Sequence, residues 1–176
     1  PNYKGTFSGV WSIINNEEYT GGTIHFINSE IDNGDIVEIN KCKITKDDTG
    51  QSLYEKVSKL SISLFNKYHN KMINKETINR YPQEKSKGKY YDRKLPHNGI
   101  LEWHWESKKI FDFCRALYFK GYNPAKALLN LNEIDIFSLS TTTNKSTLSP
   151  GKIVKEDINT IVVSTSDFDV NIKKNV

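Results

Sequence analysis

The stretch from Thr23 to Ile36, T-I-H-F-I-N-S-E-I-D-N-G-D-I, constrains the fold more than any other part of the chain. It opens on an apolar run, Thr23-Ile24-His25-Phe26-Ile27. It then passes through Asp32-Asn33-Gly34-Asp35 and enters a second apolar run, Ile36-Val37-Glu38-Ile39. β-Branched and aromatic residues suit extended backbone, and Asp, Asn and Gly suit a reversal. Strands over Thr23–Asn28 and Asp35–Ile44 are therefore expected, and their short link makes them an antiparallel pair. A histidine on the first strand and an aspartate at the mouth of the turn can then meet in space. A carboxylate on a rigid turn can take a proton or orient a water, although Asp-Asn-Gly is also ordinary turn chemistry.

The segments around this stretch change period twice. Pro1 to Gly5 reads as a loop, Val10 to Ile14 as part of a short helix, and Asn15 to Gly22 as a polar turn region. From Thr49-Gly50-Gln51-Ser52 onward, Leu53, Val57, Leu60, Leu64 and Tyr68 recur at helical spacing, extended by Phe65 and Met72. Lys56, Lys59, Lys67 and Lys71 fall on the opposite, solvated side. Residues 75–96 are polar, with Pro82, Pro96 and a run of Lys and Arg that includes Lys85 and Lys87, and they read as a linker. A second helix is expected with Ser107 as its cap and Ile110, Phe111, Cys114, Leu117 and Tyr118 on its apolar side, stopped by Gly121 and Pro124. Short strands follow at Ile134–Leu139, Lys152–Val154, Thr160–Ser164 and Asp169–Lys173, as in a small barrel or sandwich. The expected organisation is a first domain over 1–80, a linker over 81–100, and a helix plus small β unit over 101–176.

Composition excludes several classes. No apolar run is long enough to span a bilayer and no leader is visible, so a cytoplasmic chain without a membrane partner is expected. Because it does not begin with Met, it reads as a processed chain or a fragment. The net charge of +4 suits an anionic small ligand but is too mild for nucleic acid, and no basic stripe with interleaved aromatics appears. Cys42 and Cys114 are far apart and read as free thiols in a reducing compartment. The four histidines are scattered without ligand spacing, so no metal is expected.

The motifs also stand in a telling order. They are Pro1-Asn2-Tyr3-Lys4-Gly5, Trp11-Ser12-Ile13-Ile14-Asn15-Asn16, Thr20-Gly21-Gly22-Thr23-Ile24-His25 and Asp32-Asn33-Gly34-Asp35-Ile36. After these come Arg93-Lys94-Leu95-Pro96, Leu101-Glu102-Trp103-His104, Cys114-Arg115-Ala116-Leu117 and Pro150-Gly151-Lys152-Ile153-Val154. Across nearly the whole chain this resembles the folate-dependent formyltransferases. The likeness is greatest to the sugar-nucleotide N-formyltransferases, such as those acting on UDP-4-amino-4-deoxy-L-arabinose and on dTDP-amino sugars. The resemblance implies an α/β fold: the C-terminal part of a formyltransferase Rossmann-like domain, followed by a small β-rich, OB-like C-terminal domain. One departure is that the family's catalytic Asn and His lie a few residues before the position of Pro1. On this reading about 100 further residues belong upstream, judged by ordinary domain size, and the chain holds one of three catalytic residues.

The implied reaction is formyl transfer from N10-formyltetrahydrofolate to the amine of a dTDP- or UDP-linked amino sugar, within lipopolysaccharide or glycan synthesis. Asp32 is implied as the proton acceptor, with His25 either hydrogen-bonding it in support or standing as a satisfied strand histidine. The backbone of Ile31, Asn33, Gly34, Asp35 and Ile36 is implied as a wall of the folate pocket. Tyr3 and Lys4, beside the active site, and Tyr91 and Arg93, able to stack on a base and fork onto a diphosphate, are candidates for the nucleotide sugar. Trp103 and Trp105 read as interdomain packing. A homodimer is the oligomer the resemblance suggests. The alternatives are a methionyl-tRNA formyltransferase, a formyltetrahydrofolate hydrolase or a non-catalytic fragment. The balanced charge of residues 138–176 argues against the tRNA enzyme.

Overall fold

In the computed structural model, which describes residues 2–84 and 88–174, apolar periodicity is converted into ten strands and three α-helices. The chain divides into two compact units. One comprises Pro1–Asp48 with Ser52–Lys94, the other Thr49–Gln51 with Leu95–Val176. No helix among the described residues is long and apolar enough to cross a membrane.

In the first unit, strand β1 (Tyr3–Gly5) leads through Phe7 into helix α1 (Ser8–Ile14), which buries Val10, Ser12 and Ile13. Strand β2 (Tyr19–His25) pairs antiparallel with β3 (Ile36–Lys43), from Tyr19 opposite Lys43 to Ile24 opposite Glu38. β2 thus begins inside the stretch whose Asn, Glu and Gly content reads as a turn. Gly21 and Gly22 are accommodated because β3 backbone and α2 side chains lie where a Cβ would stand. The register slips between Ile24 and His25, which lies opposite Ile36, and such a bulge re-aims the side chains at the end of a ladder.

Helix α2 (Gly50–Ile73) buries Leu53 and Leu64 from the expected stripe. Phe65 and Met72 do not extend that stripe inward and stay exposed at 57% and 43%. The lysine side is not uniformly solvated either. Lys56 Nζ lies 2.7 Å from Asp48, and Lys67 Nζ lies 2.6 Å from Glu38, which also accepts from the Tyr68 hydroxyl.

The polar residues expected as a linker supply two further pieces of this unit. Tyr81 forms an antiparallel bridge with Ile36, and β4 (Lys89–Tyr91) pairs in parallel with β1. Lys85 and Lys87 lie outside the described residues. Aromatic packing overrides the polar composition here. The Tyr91 ring stacks on Tyr3 at 5.4 Å, meets Trp11 at 4.6 Å, and is 7% exposed. Aromatic pairs of this kind add about 0.5–1.5 kcal/mol beyond their buried area.

The second unit opens with a short 3₁₀ turn, Pro96–Gly99, and helix α3 (Ser107–Ala116). Ser107 is not the cap that its type suggests. Its own N–H and hydroxyl instead donate to Asp167, 2.7 Å and 3.3 Å away, so a residue sixty positions downstream satisfies the helix start. Ile110, Phe113, Cys114, Ala116 and Leu117 are buried, while Tyr118 at the expected end of the stripe is 40% exposed.

A hairpin of β5 (Ala125–Leu129) and β6 (Asn132–Ile136) follows. Strands β7 (Leu139–Thr141), β8 (Ile153–Glu156), β9 (Thr160–Val163) and β10 (Val170–Lys173) form an antiparallel sheet in the order β7-β10-β9-β8. β5 gave no signal because its buried residues include two alanines. Trp103 and Trp105 pack within this unit: the Trp103 indole donates to the Leu128 carbonyl, and the Trp105 ring meets Phe113 edge-on.

Two features generate tests of this fold. Asp48, 3% exposed, accepts from Thr45 N–H, Thr45 Oγ1, Ser52 Oγ and Lys56 Nζ. Burial alone would raise its carboxyl, but Lys56 and these donors together draw it down to about 2. The stabilisation is fully present above about pH 4, where the unfolded carboxylate is ionised, and is lost as pH falls through about 2. Asp48→Asn is expected to cost about 2 kcal/mol at pH 7 and to converge with wild type near pH 2, read by thermal unfolding. An equal gap at both pH values would refute the assignment. Gly34 is buried, and a Cβ there would run into the Phe26 carbonyl across the β2–β3 connection. Gly34→Ala should lower stability by about 1–3 kcal/mol in the same assay.

Candidate active site around Asp32

The β2–β3 connection is closed by a hydrogen bond from Phe26 N–H to the Asp35 carbonyl, 2.9 Å. Inside it Asp32 adopts φ +54°, the left-handed region, which costs a residue with a Cβ about 1–2 kcal/mol. Three ties hold that conformation. Gly5 N–H donates to Asp32 Oδ2 at 2.8 Å. Lys4 Nζ donates to Asn33 Oδ1 at 2.6 Å. The Gln83 side-chain amide donates to the carbonyls of Asp32 and Gly34, at 3.1 and 2.7 Å. The end of β1 and the segment after α2 therefore grip the turn from two sides.

His25 and Asp32 come together as their spacing and the hairpin require. His25 Nε2 lies 3.8 Å from Asp32 Oδ1, too long for a direct hydrogen bond. Nδ1 lies 2.8 Å from the Phe26 carbonyl oxygen, which can only accept. That contact assigns the ring proton to Nδ1 and leaves Nε2 of the neutral ring as an acceptor. A carboxylate oxygen and an imidazole lone pair thus stand side by side, both part-exposed. The group that satisfies both is a donor such as an amine or a water.

The other candidates separate by their surroundings. Ile31 is 68% exposed and Ile27 95%, an apolar rim beside the turn. Asn33, besides Lys4, bonds Glu30 through its amide nitrogen and Asn28 through its carbonyl. Asp35 pairs with Arg80 at 3.4 Å. Ile36 is not an open backbone reader, because its N–H and carbonyl both pair with Tyr81. Tyr91 is not available to stack on a base, because Tyr3 and Trp11 pack against its ring. The Tyr3 hydroxyl donates to Glu17 at 2.6 Å and accepts from Asn15, while burial and the Glu17 carboxylate push it up to about 12. Lys4 is engaged by Asn33, and Arg93 is exposed on the first unit. A cavity of about 490 Å³ in this unit is lined by Tyr3, Glu17, Thr23, Ile39, Tyr81 and Gln83 among others, but by neither Asp32 nor His25. The candidate pair thus lies at the turn and outside that cavity. Gln83, Arg80 and the Gly5 N–H escaped sequence reasoning. Gln83 and Arg80 stand in a polar, proline-bearing segment whose local pattern is that of a connector.

Known proteins are similar to this chain in sequence and fold. The chain matches the formyl transferase family over residues 1–68 and the formyl transferase C-terminal domain over residues 95–175. It is 33% identical over 117 residues to the bifunctional polymyxin resistance protein ArnA of Wigglesworthia glossinidia brevipalpis, covering 66% of this chain and 18% of that protein. Its fold is similar to the N-formyltransferase from Helicobacter canadensis in complex with folinic acid and dTDP-3-aminofucose, at a TM-score of 0.78 and 26% identity. That match covers 98% of this chain and 62% of the other. It is also similar to WlaRD, a sugar 3N-formyl transferase seen with dTDP and 5-N-formyl-THF, at a TM-score of 0.76 and 27% identity, covering 98% and 61%. The chain thus spans less than two thirds of each relative's length. With both family models matched in order and these relatives beside them, the chain belongs to the formyl transferase family.

Proposed function

We propose that the protein carrying this chain transfers a formyl group from N10-formyltetrahydrofolate to the amine of a dTDP- or UDP-linked amino sugar. The observation that carries this reading is the pair of acceptors, Asp32 Oδ1 and His25 Nε2, held 3.8 Å apart on a pinned turn. Two similar proteins, one in complex with folinic acid and dTDP-3-aminofucose and one seen with dTDP and 5-N-formyl-THF, support the substrate classes.

The bound folate supplies an electrophilic formyl carbon. An attacking amine needs its lone pair aimed at that carbon and somewhere to send a proton. Asp32 accepts an amine N–H at Oδ1, while Oδ2 stays fixed by Gly5 N–H, so the carboxylate cannot swing away as charge develops. His25 accepts a second N–H through Nε2, and its Nδ1 bond to the Phe26 carbonyl holds the ring in place. As the new C–N bond forms, the proton passes from the amine to Asp32, directly or through one water; the bond from the formyl carbon to N10 of the folate then breaks, and N10 leaves with a proton as tetrahydrofolate. The exposed side chains of Ile27 and Ile31 fit the apolar face of a flat heterocycle beside the turn. Arg93, exposed, is the candidate for a diphosphate oxygen. The same reading assigns the reaction to the cytoplasm, in the building of lipopolysaccharide or related glycans.

The test is to incubate the full-length protein with N10-formyltetrahydrofolate and a panel of dTDP- and UDP-amino sugars, detecting formylated product by mass. A formamide on at least one sugar is expected. Formate release without it would make the protein a hydrolase and overturn the proposal. Asp32→Asn keeps the shape but loses the proton acceptor, and should lower kcat by about 10²–10⁴-fold with KM little changed. Wild-type kcat in that variant would remove Asp32 from the chemistry.

A further inference from the structure

We propose that Gln83 is the positioning residue for Asp32: one side-chain amide, bridging the carbonyls on either side of Asn33, holds the left-handed turn that aims the carboxylate. The inference rests on the reading of Asp32 as the proton acceptor.

Asp32 at φ +54° occupies backbone that a residue with a Cβ leaves unless its surroundings fix it. Within the turn, the Asp32 and Gly34 carbonyls are one residue apart on either side of Asn33. A primary amide has two N–H hydrogens on one nitrogen, and Gln83 Nε2 reaches both carbonyls, at 3.1 and 2.7 Å. No other neutral side chain of that length offers two hydrogens from one atom. Gln83 is itself well placed for this. Two residues earlier, Tyr81 exchanges both backbone hydrogen bonds with Ile36, at 2.8 and 3.0 Å, and Pro82 between them fixes its own φ. The bridge therefore starts on a segment tied to β3 and ends on the turn leading into β3. The opposite side of the turn is met by Gly5 N–H at Asp32 Oδ2. Removing the amide leaves two carbonyls without this donor and frees Asp32 to relax toward ordinary backbone, which carries Oδ1 away from its place beside His25.

The experiment uses the full-length protein and three forms: wild type, Gln83→Leu and Gln83→Glu. Gln83→Leu should lower kcat about tenfold to a hundredfold with KM for the nucleotide sugar within about twofold, since small misplacements act on the reacting geometry. Gln83→Glu presents an acceptor to two carbonyls when ionised. Its kcat should be at least as low as that of Gln83→Leu at pH 8 and should recover several-fold toward pH 5, nearer the ordinary Glu value of about 4.3, as the carboxyl takes a proton and regains a donor. Wild-type rates and pH profiles in both variants would overturn the proposal. So would a matched loss of kcat, KM and thermal stability without that recovery.

A second readout needs no turnover. The Gly5 amide proton, hydrogen-bonded to Asp32, should shift by NMR as Asp32 titrates, and the shift should be at least halved in Gln83→Leu. If wild type forms no formylated sugar but this difference holds, the functional reading fails alone. If wild type is active and the Gly5 titration is unchanged in Gln83→Leu, the role of Gln83 fails alone.

Discussion

The hydrogen bond from Gly5 N–H to Asp32 Oδ2 joins the end of β1 to the β2–β3 turn, and the candidate site depends on it. Gly5 can offer that N–H because it sits at φ +86° and has no Cβ, which would collide with the Tyr91 carbonyl on β4. The carboxylate is thus positioned by a chain of constraints running back to aromatic packing. Tyr91 lies between Tyr3 and Trp11, that packing seats β4 against β1, and the pairing directs the Gly5 N–H at the turn. A residue expected to touch a nucleotide serves instead to hold the strand on which the carboxylate's donor stands.

The opposite wall of the site comes from the hairpin itself. The register slip at His25 changes which residues face each other at the end of β2, and the Nδ1 contact with the Phe26 carbonyl then fixes the ring. A regular ladder could hold a histidine on one face as well. What the irregular end adds is a histidine whose free nitrogen looks at the turn rather than along the sheet. The result is an imidazole nitrogen and a carboxylate oxygen 3.8 Å apart on a turn held from outside the hairpin.

In the second unit the same division of labour serves stability. Asp167 satisfies the start of α3, and its carboxyl is lowered, since the donors of Ser107, Phe168 and Thr165 outweigh its burial. Asp169, 4% exposed, accepts from Ser146 N–H and Oγ and so closes the loop between β7 and β8. Both carboxylates belong to the hairpin between β9 and β10, where composition alone reads only a polar turn.

The sequence by itself determined what depends on neighbours along the chain. Alternating β-branched residues and an Asp-Asn-Gly turn specify the hairpin, apolar residues at helical spacing specify α2 and α3, and the span from His25 to Asp32 brings those two side chains together. It also carried the family resemblance, because that lies in short motifs kept in order. Only the tertiary structure decided the features made by residues far apart in sequence. β1 pairs with β4 across more than eighty residues, Asp167 caps α3, Tyr91 is buried against Trp11, and Gln83 reaches the Asp32 turn across fifty positions. The reason is physical. Local pattern encodes which backbone shape a segment prefers, but a polar segment such as Tyr81-Pro82-Gln83-Glu84 prefers none strongly. Its role is set by which unpaired N–H and carbonyl groups the folded chain brings within hydrogen-bond distance.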